Sequence, residues 1–285
     1  MTEYAGLSQL PPATAEKAVN SMTMLIDRHA DRYAGEIAEY FQQAGAGSEQ
    51  RLLDSFNTHV ETLELDYDPA KISQPGDSLV FSHIYAAAQE PAADGDGRLP
   101  VLTALLAAEV EFRGPRRLSR TQNTRIAEIY EHLGRALVAA DLPHHAVLAF
   151  KRAVGLHRVE EDFDAQDRCG HALAQARCRA VDQVWKRIPH WTLEVLCGYG
   201  FRPFRLLGWI AAVLLIGTVV LWATDGQPIP TALHMCLINY LNPLGIGDLE
   251  DIRGAGRTLL IVEAYAGLVL NSLFFALLVR RWFRI

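Results

Sequence analysis

The sequence predicts an all-α protein in which a charged helical half is followed by two membrane-spanning helices. Two observations lead to this fold class. Residues 206–224 contain no charged side chain, and residues 258–279 contain only Glu263. Each run is close to the roughly 20 apolar residues that a helix needs to cross a bilayer. The alternative, a buried core helix of a soluble protein, is disfavoured because such helices rarely run this far without a polar face.

Composition excludes several classes of function. The chain has 285 residues, of which 50% are hydrophobic and 21% charged, and its net charge is −6. The acidic front half has no clustered basic surface, so nucleic-acid binding is not expected. No phosphate-binding loop, nucleophile motif or metal-ligand spacing occurs, so we expect no enzyme, no catalytic residue, no cofactor and no bound metal.

The four cysteines have none of the spacings typical of redox or zinc motifs. Cys169, Cys178, Cys197 and Cys236 include no C-x-x-C pair and no matched histidine spacing. The sequence therefore predicts reduced, structural thiols and neither a disulfide framework nor a zinc site.

The charges that flank the two apolar runs predict their orientation. Arg202 and Arg205 precede the first run, and three arginines follow the second, at positions 280, 281 and 284. Excess arginine marks the cytoplasmic side, and the N-terminal residues do not have the pattern of a signal peptide. We therefore expect a multi-pass protein of the cytoplasmic (inner) membrane with both termini inside and residues 225–257 outside.

The outside segment contains a short apolar run and then two spaced glycines. Residues 228–242 are too short to span and begin with prolines, so they suit a re-entrant helix that ends before Pro243. Gly245 and Gly247 follow. Glycines at alternate positions let successive carbonyl oxygens face one axis, where a ring of them can replace the water shell of an ion. The alternative is an ordinary glycine turn in a two-helix anchor.

With these features, residues 206–285 resemble the two-transmembrane, potassium-channel-like pore domain of bacterial ion channels. The filter of that family reads Thr-Val-Gly-Tyr-Gly. In this chain the corresponding residues are Pro243-Leu244-Gly245-Ile246-Gly247, and Asp248 follows them. Gly256-Arg257 then matches the opening of the family's inner helix. The resemblance implies a homotetramer in the membrane, because one chain supplies only one column of carbonyls.

The resemblance also assigns roles to individual residues. It implies an ion-binding filter, a gating hinge at Gly267 and a pore-lining Asn271. Glu263 lies on the same helix face as those two residues, and Asn239 is its expected partner in supporting the filter. The alternative is a carboxylate near the outer interface that reaches water. The expected filter residues are Pro243, Leu244, Gly245, Ile246 and Gly247. The expected outer mouth consists of Asp248, Glu250 and Asp251.

Two departures from the family pattern bear on the permeant ion. Pro243 replaces the threonine whose hydroxyl forms the innermost ion site, and Ile246 replaces the aromatic residue that braces the filter. A loosely braced carbonyl ring can adapt to sodium as well as potassium. We therefore expect K⁺ or Na⁺ to permeate with weak selectivity. The Gly-Tyr-Gly at 198–200 precedes the first span and is expected to end a juxtamembrane helix.

The front half is predicted to be helical, and one unit has tetratricopeptide-like spacing. The unit consists of Tyr130, Leu133, Gly134, Leu137, Ala146, Phe150 and Ala153. Gly134 and Ala146 would allow close packing of two helices, and a generic helical hairpin is the alternative. Helices are expected at 13–43, 48–64, 100–112, 119–140, 143–161 and 164–187. The adjacent His144 and His145 are expected on the surface.

The sequence thus divides into four predicted regions with one proposed function. These are an N-terminal helical region (1–99), a tetratricopeptide-like region (100–190), a juxtamembrane segment (191–205) and the pore domain (206–285). We expect a tetrameric cation channel that its cytoplasmic helical domain assembles or gates, with a protein or peptide as cytoplasmic partner. The alternatives are a non-conducting membrane-anchored scaffold and an effector that depolarises the membrane on a signal.

Overall fold

The computed structural model shows an all-helical chain in two compact units. It describes residues 12–42, 49–67, 77–90, 97–114, 118–181, 184–200, 204–241 and 254–283, and no strand occurs among them. The units comprise residues Met1–Asp182 and Gln183–Ile285. Each is considered by itself.

The residues that the structure describes in the first unit form seven helices. They are α1 (Pro12–Gln42), α2 (Glu49–Asp66), α3 (Ser82–Ala87), α4 (Arg98–Arg113), α5 (Arg120–Ala139), α6 (Pro143–Val159) and α7 (Phe163–Ala180). Their bounds fall close to the predicted ones, with two differences. The short α3 was not predicted. The helix expected over 164–187 ends at Ala180, and a separate helix begins at Val184.

Helix α4 forms the centre of the first unit. Every residue from Val101 to Glu111 is buried, and the helix packs against α1, α2, α3 and α5. Its two buried carboxylates have several partners. Glu111 accepts hydrogen bonds from the Val80 N–H at 2.7 Å and the Tyr85 hydroxyl at 2.8 Å. A central helix surrounded by others is apolar on all faces, and its polar groups must be satisfied internally.

Helices α5, α6 and α7 are joined by two similar tight turns. Asp141 and Glu161 adopt positive φ values of 61° and 60°. The following residue in each turn donates its N–H back to the preceding helix, from Leu142 to the Leu137 carbonyl and from Asp162 to the His157 carbonyl, both at 3.0 Å. This six-to-one hydrogen bond is typical of a helix C-terminus and turns the chain sharply. Consecutive helices therefore pack side by side.

The predicted core of the tetratricopeptide-like unit is buried. Leu133, Ala146 and Phe150 are each at most 1% exposed. Gly134 lies against the ring of Phe150, so the close approach of α5 and α6 is built on that pair. The expectation for His145 was wrong. His145 is fully buried, because Glu49 and Tyr33 from α2 and α1 cover it and hydrogen-bond its two ring nitrogens.

The described part of the second unit forms four helices, two of them long and apolar. They are α8 (Val184–Cys197), α9 (Phe204–Asp225), α10 (Ile229–Leu241) and α11 (Ala255–Phe283). The segments Phe204–Thr224 and Gly256–Val279 are long and apolar enough to cross a membrane, and they contain both predicted runs. Only 22% and 28% of their most apolar windows are buried, which leaves most of their apolar surface uncovered.

Helix α8 ends where the Gly-Tyr-Gly sequence predicted. Its last residue is Cys197, and Gly198, Tyr199 and Gly200 then follow with positive φ values of 55°, 55° and 84°. The Gly198 N–H donates to the Glu194 carbonyl at 2.9 Å and closes the helix. Left-handed backbone favours glycine, which is why two glycines stand here.

Candidate functional site

The short helix α10 lies between the two long helices of the second unit. It packs against both α9 and α11. Leu221 of α9, Ala232 and Cys236 of α10, and Leu260 of α11 form a small buried cluster where the three helices meet. The sequence predicted a helix here from its prolines and apolar run. The Ala232 N–H donates to the Pro228 carbonyl at 2.9 Å, so the helix begins at these prolines as expected.

Glu263 is buried at the junction of these three helices. Its side chain is next to Gly217 of α9 and close to Cys236 and Asn239 of α10. A methyl group at Gly217 would lie 3.1 Å from the Glu263 Oε1 and 3.0 Å from the Cys236 Sγ. The glycine thus makes the room that the carboxylate occupies. Thr218, the next residue, is also buried, and its hydroxyl donates to the Leu214 carbonyl at 2.8 Å.

The Glu263 carboxylate interacts with the Cys236 thiol and the Asn239 amide of α10, although its contacts within the described residues are too long or too bent to be regular hydrogen bonds. The residue is only 3% exposed. Asn239, its expected partner, is one of these two neighbours, and its amide Nδ2–H also donates to the Leu260 carbonyl at 2.7 Å. A buried carboxylate is costly unless it is well paired, and ionisable residues within apolar spans commonly have functional roles.

Gly267 and Asn271 meet the same short helix one and two turns further along α11. The hydroxyl of Tyr240 donates to the Asn271 Oδ1 at 3.0 Å, and the Tyr240 ring lies on Gly267. Residues at i, i+4 and i+8 share a face of a helix, so Glu263, Gly267 and Asn271 form one line that faces α10. The sequence predicted these three residues as part of a site. It did not predict that Tyr240, Cys236 and Gly217 contact them, because no spacing rule relates residues of different helices.

The expected filter and outer mouth lie outside the described residues. These positions are Pro243, Leu244, Gly245, Ile246, Gly247, Asp248, Glu250 and Asp251. The segment that contains them begins directly after α10 and ends at the start of α11.

No protein-family model, no curated protein and no solved structure matches this chain. The resemblance of residues 206–285 to a pore domain therefore rests on the residues themselves.

Proposed function

We propose that the chain is a cation channel whose pore is formed by several copies of the second unit, most simply four. The observation that supports this most strongly is the position of α10. It is too short to span, packs between two helices of spanning length, and leads directly into Gly245-Ile246-Gly247-Asp248. A helix in this place can hold a following loop at membrane depth, where irregular backbone is tolerated only if it is buried in protein or lines water.

The line of Glu263, Gly267 and Asn271 supports the same function. All three residues meet α10, the helix that would hold the filter loop. A buried carboxylate beside α10 would favour a cation close to that helix. The cation would be K⁺ or Na⁺, and the departures at Pro243 and Ile246 favour weak discrimination between the two.

The first unit would assemble or gate this pore. Its helical hairpins offer a surface for a cytoplasmic protein or peptide, and its fold class carries no chemistry of its own. In this proposal the protein is a multi-pass protein of the bacterial cytoplasmic membrane with both termini inside. This orientation is inferred from the arginines that flank residues 206–279, because excess arginine marks the cytoplasmic side.

Ion flux from proteoliposomes tests the proposal. The purified full-length chain is reconstituted, and potassium and sodium gradients are applied separately. We expect flux with both ions, and we expect Gly245→Asp to abolish it because a side chain would fill the filter axis. Gly208→Ala is the matched control, since no atom lies within 4 Å of the position its methyl group would take.

The flux measurement has three informative outcomes, which concern conduction, ion selectivity and the alternative of a non-conducting scaffold. Flux that Gly245→Asp removes, with the oligomer intact, supports a channel. Flux that is strongly selective for potassium would contradict the prediction from Pro243 and Ile246. A stable oligomer that conducts neither ion, with or without cytoplasmic extract, would instead identify a scaffold.

A further inference from the structure

Three side chains of types that bind transition metals meet inside the first unit. Glu131 comes from the middle of α5, His157 from the last turn of α6 and Cys169 from α7. One ligand atom of each lies within 4.8 Å of those of the other two. The three helices that supply them are joined by the two tight turns described above. The cluster is far in sequence from Glu263 and belongs to the other unit.

His157 has an unused nitrogen in this buried space. The residue is only 3% exposed, and its Nε2 has no hydrogen-bond partner among the described residues. A buried polar atom without a partner costs free energy and requires an explanation such as an ion or water. An imidazole nitrogen is also among the commonest metal ligands in proteins.

The Cys169 thiol and the Glu131 carboxylate interact with each other. Burial raises the pKa of the Cys169 thiol to about 12, and the neighbouring Glu131 carboxylate, which accepts a hydrogen bond from the thiol, adds to this. Arg135 forms an ion pair with the same carboxylate. The thiol is therefore protonated at neutral pH and is not a reactive nucleophile.

The combination of ligands selects one class of ion. Calcium and magnesium prefer sites made of oxygen alone, whereas zinc accepts sulfur, nitrogen and carboxylate oxygen together. In a tetrahedral zinc site the sulfur and nitrogen ligands lie about 3.5 Å apart, so the side chains here need to move inward by only about 1 Å. We propose that Glu131, His157 and Cys169 bind Zn²⁺ and join α5, α6 and α7.

The fourth coordination position has a candidate in the same helix as Cys169. Gln166 lies three residues earlier, which places it on the same face of α7. Its Oε1 is buried and has no hydrogen-bond partner among the residues that the structure describes. The position is filled by this oxygen or by a water molecule. On binding, the thiol proton leaves for solvent and the thiolate becomes the ligand.

Cobalt provides the direct test, because a thiolate bound to Co²⁺ gives a charge-transfer band in the near ultraviolet. The full-length protein in detergent is treated with a chelator, freed of it and titrated with Co²⁺ alone. We expect one equivalent to produce the band and Zn²⁺ to displace it. Cys169→Ser should abolish the band. Cys178→Ser is the matched control, since Cys178 lies in the same helix but outside the cluster.

The other two ligands give independent readouts. His157→Gln and Glu131→Gln should each weaken Co²⁺ binding by at least about tenfold, the loss typical of disturbing a metal site. Excess Zn²⁺ should raise the unfolding midpoint of the wild type and of Cys178→Ser but not that of His157→Gln, because an ion that binds only the folded state stabilises it.

Circular dichroism without metal first establishes that each variant is folded. Should Cys169→Ser fail to fold, the zinc-dependent midpoint of His157→Gln decides the question. The proposal is overturned if the wild type gives no band, if the band persists in Cys169→Ser, or if Zn²⁺ raises the midpoint of His157→Gln as much as that of the wild type. None of these results depends on whether the chain conducts ions.

Discussion

The backbone of Gly267 in α11 lies directly against the ring of Tyr240 in α10. A methyl group at Gly267 would come within 2.8 Å of the ring Cδ2 and 2.9 Å of Cε2. One turn further along α11, Asn271 accepts the hydrogen bond from the hydroxyl of the same tyrosine. Gly267 and Asn271 together therefore hold the C-terminal end of α10, the end from which the predicted filter segment begins.

This contact predicts the effect of Gly267→Ala. The methyl group would force α10 and α11 apart, and overpacking of this kind costs about 1–3 kcal/mol. We expect a lower thermal unfolding midpoint in detergent. Gly208→Ala in α9 should leave the midpoint unchanged or raise it, because its methyl group meets nothing within 4 Å.

The same pair of variants separates packing from hinge bending. A glycine that acts only as a hinge would change ion flux without lowering the unfolding midpoint when it becomes alanine. Equal midpoints for Gly267→Ala and Gly208→Ala would contradict the packing role. Tyr240→Phe keeps the ring and removes only the hydrogen bond to Asn271, so it measures that contribution separately.

The second unit was the easier half to predict from sequence. Membrane-length apolar runs and proline starts are local signals, and they predicted α9, α10 and α11 close to their observed bounds. The second contact of Asn239, with a backbone carbonyl, was not predictable. Its amide donates to the Leu260 carbonyl, and a sequence does not indicate which backbone carbonyl a side chain will contact.

The first unit shows what local patterns miss. His145 looked like a surface residue because it stands beside another histidine at a helix start. It is buried by Glu49 and Tyr33, which lie 96 and 112 residues away in the chain. The break after Ala180 has neither glycine nor proline to mark it. Glu131, His157 and Cys169 likewise have no motif spacing, because only the packing of three helices brings them together.

The contact between Gly134 and Phe150 predicts a second pair of variants. A methyl group at Gly134 would lie 2.8 Å from two atoms of the Phe150 ring, so Gly134→Ala should destabilise the first unit by about 1–3 kcal/mol. Gly155→Ala in α6 meets no atom within 4 Å and should stabilise it by about 0.5–1 kcal/mol, the helix preference of alanine over glycine. Denaturant unfolding measures both, and similar values would argue against a close α5–α6 contact.

Two arginines that form ion pairs, Arg152 and Arg120, are expected to contribute differently to stability, because only Arg152 pairs with a fully buried carboxylate, that of Glu109. Arg152 donates to both Glu109 oxygens, at 2.9 and 3.0 Å, and its guanidinium lies 4.7 Å from the centre of the Phe112 ring. Glu109 is fully buried, so Arg152→Met should cost about 2 kcal/mol or more, although Arg113 still pairs with the carboxylate.

Arg120 provides the matched comparison. It forms a similar ion pair with Glu160 at 2.8 Å, but its side chain is 80% exposed. Ion pairs in water contribute little, so Arg120→Met should change the free energy of unfolding by no more than about 1 kcal/mol. Equal losses in the two variants would show that burial of Glu109 does not set the strength of its ion pairs.

The contact between His29 and His59 predicts a stability that depends on pH. Their Nδ1 atoms lie 2.8 Å apart, so one must donate and the other accept, and at least one ring must be neutral. Burial lowers the pKa of His29 below its ordinary 6.5, and His59, Arg32 and Arg28 lower it further, while Asp66 opposes them.

The sign of the pH effect follows from this lowered pKa. The unfolded chain binds a proton at His29 more readily than the folded chain does, so acid favours unfolding. The contribution of His29 is fully present above about pH 6.5 and is lost as the pH falls below that value, until the folded imidazole is protonated as well. The Nε2 of His59 also lies 3.4 Å from the Glu36 Oε1.

Unfolding midpoints measured from about pH 8 to about pH 5 test this prediction. His29→Gln should flatten the decline, because glutamine does not titrate. His132 in α5 serves as the control, and His132→Gln should keep the decline of the wild type. A wild-type stability that stays level or rises as the pH falls would mean that the two imidazoles do not meet as neutral partners, and that another ion pair sets the response to acid.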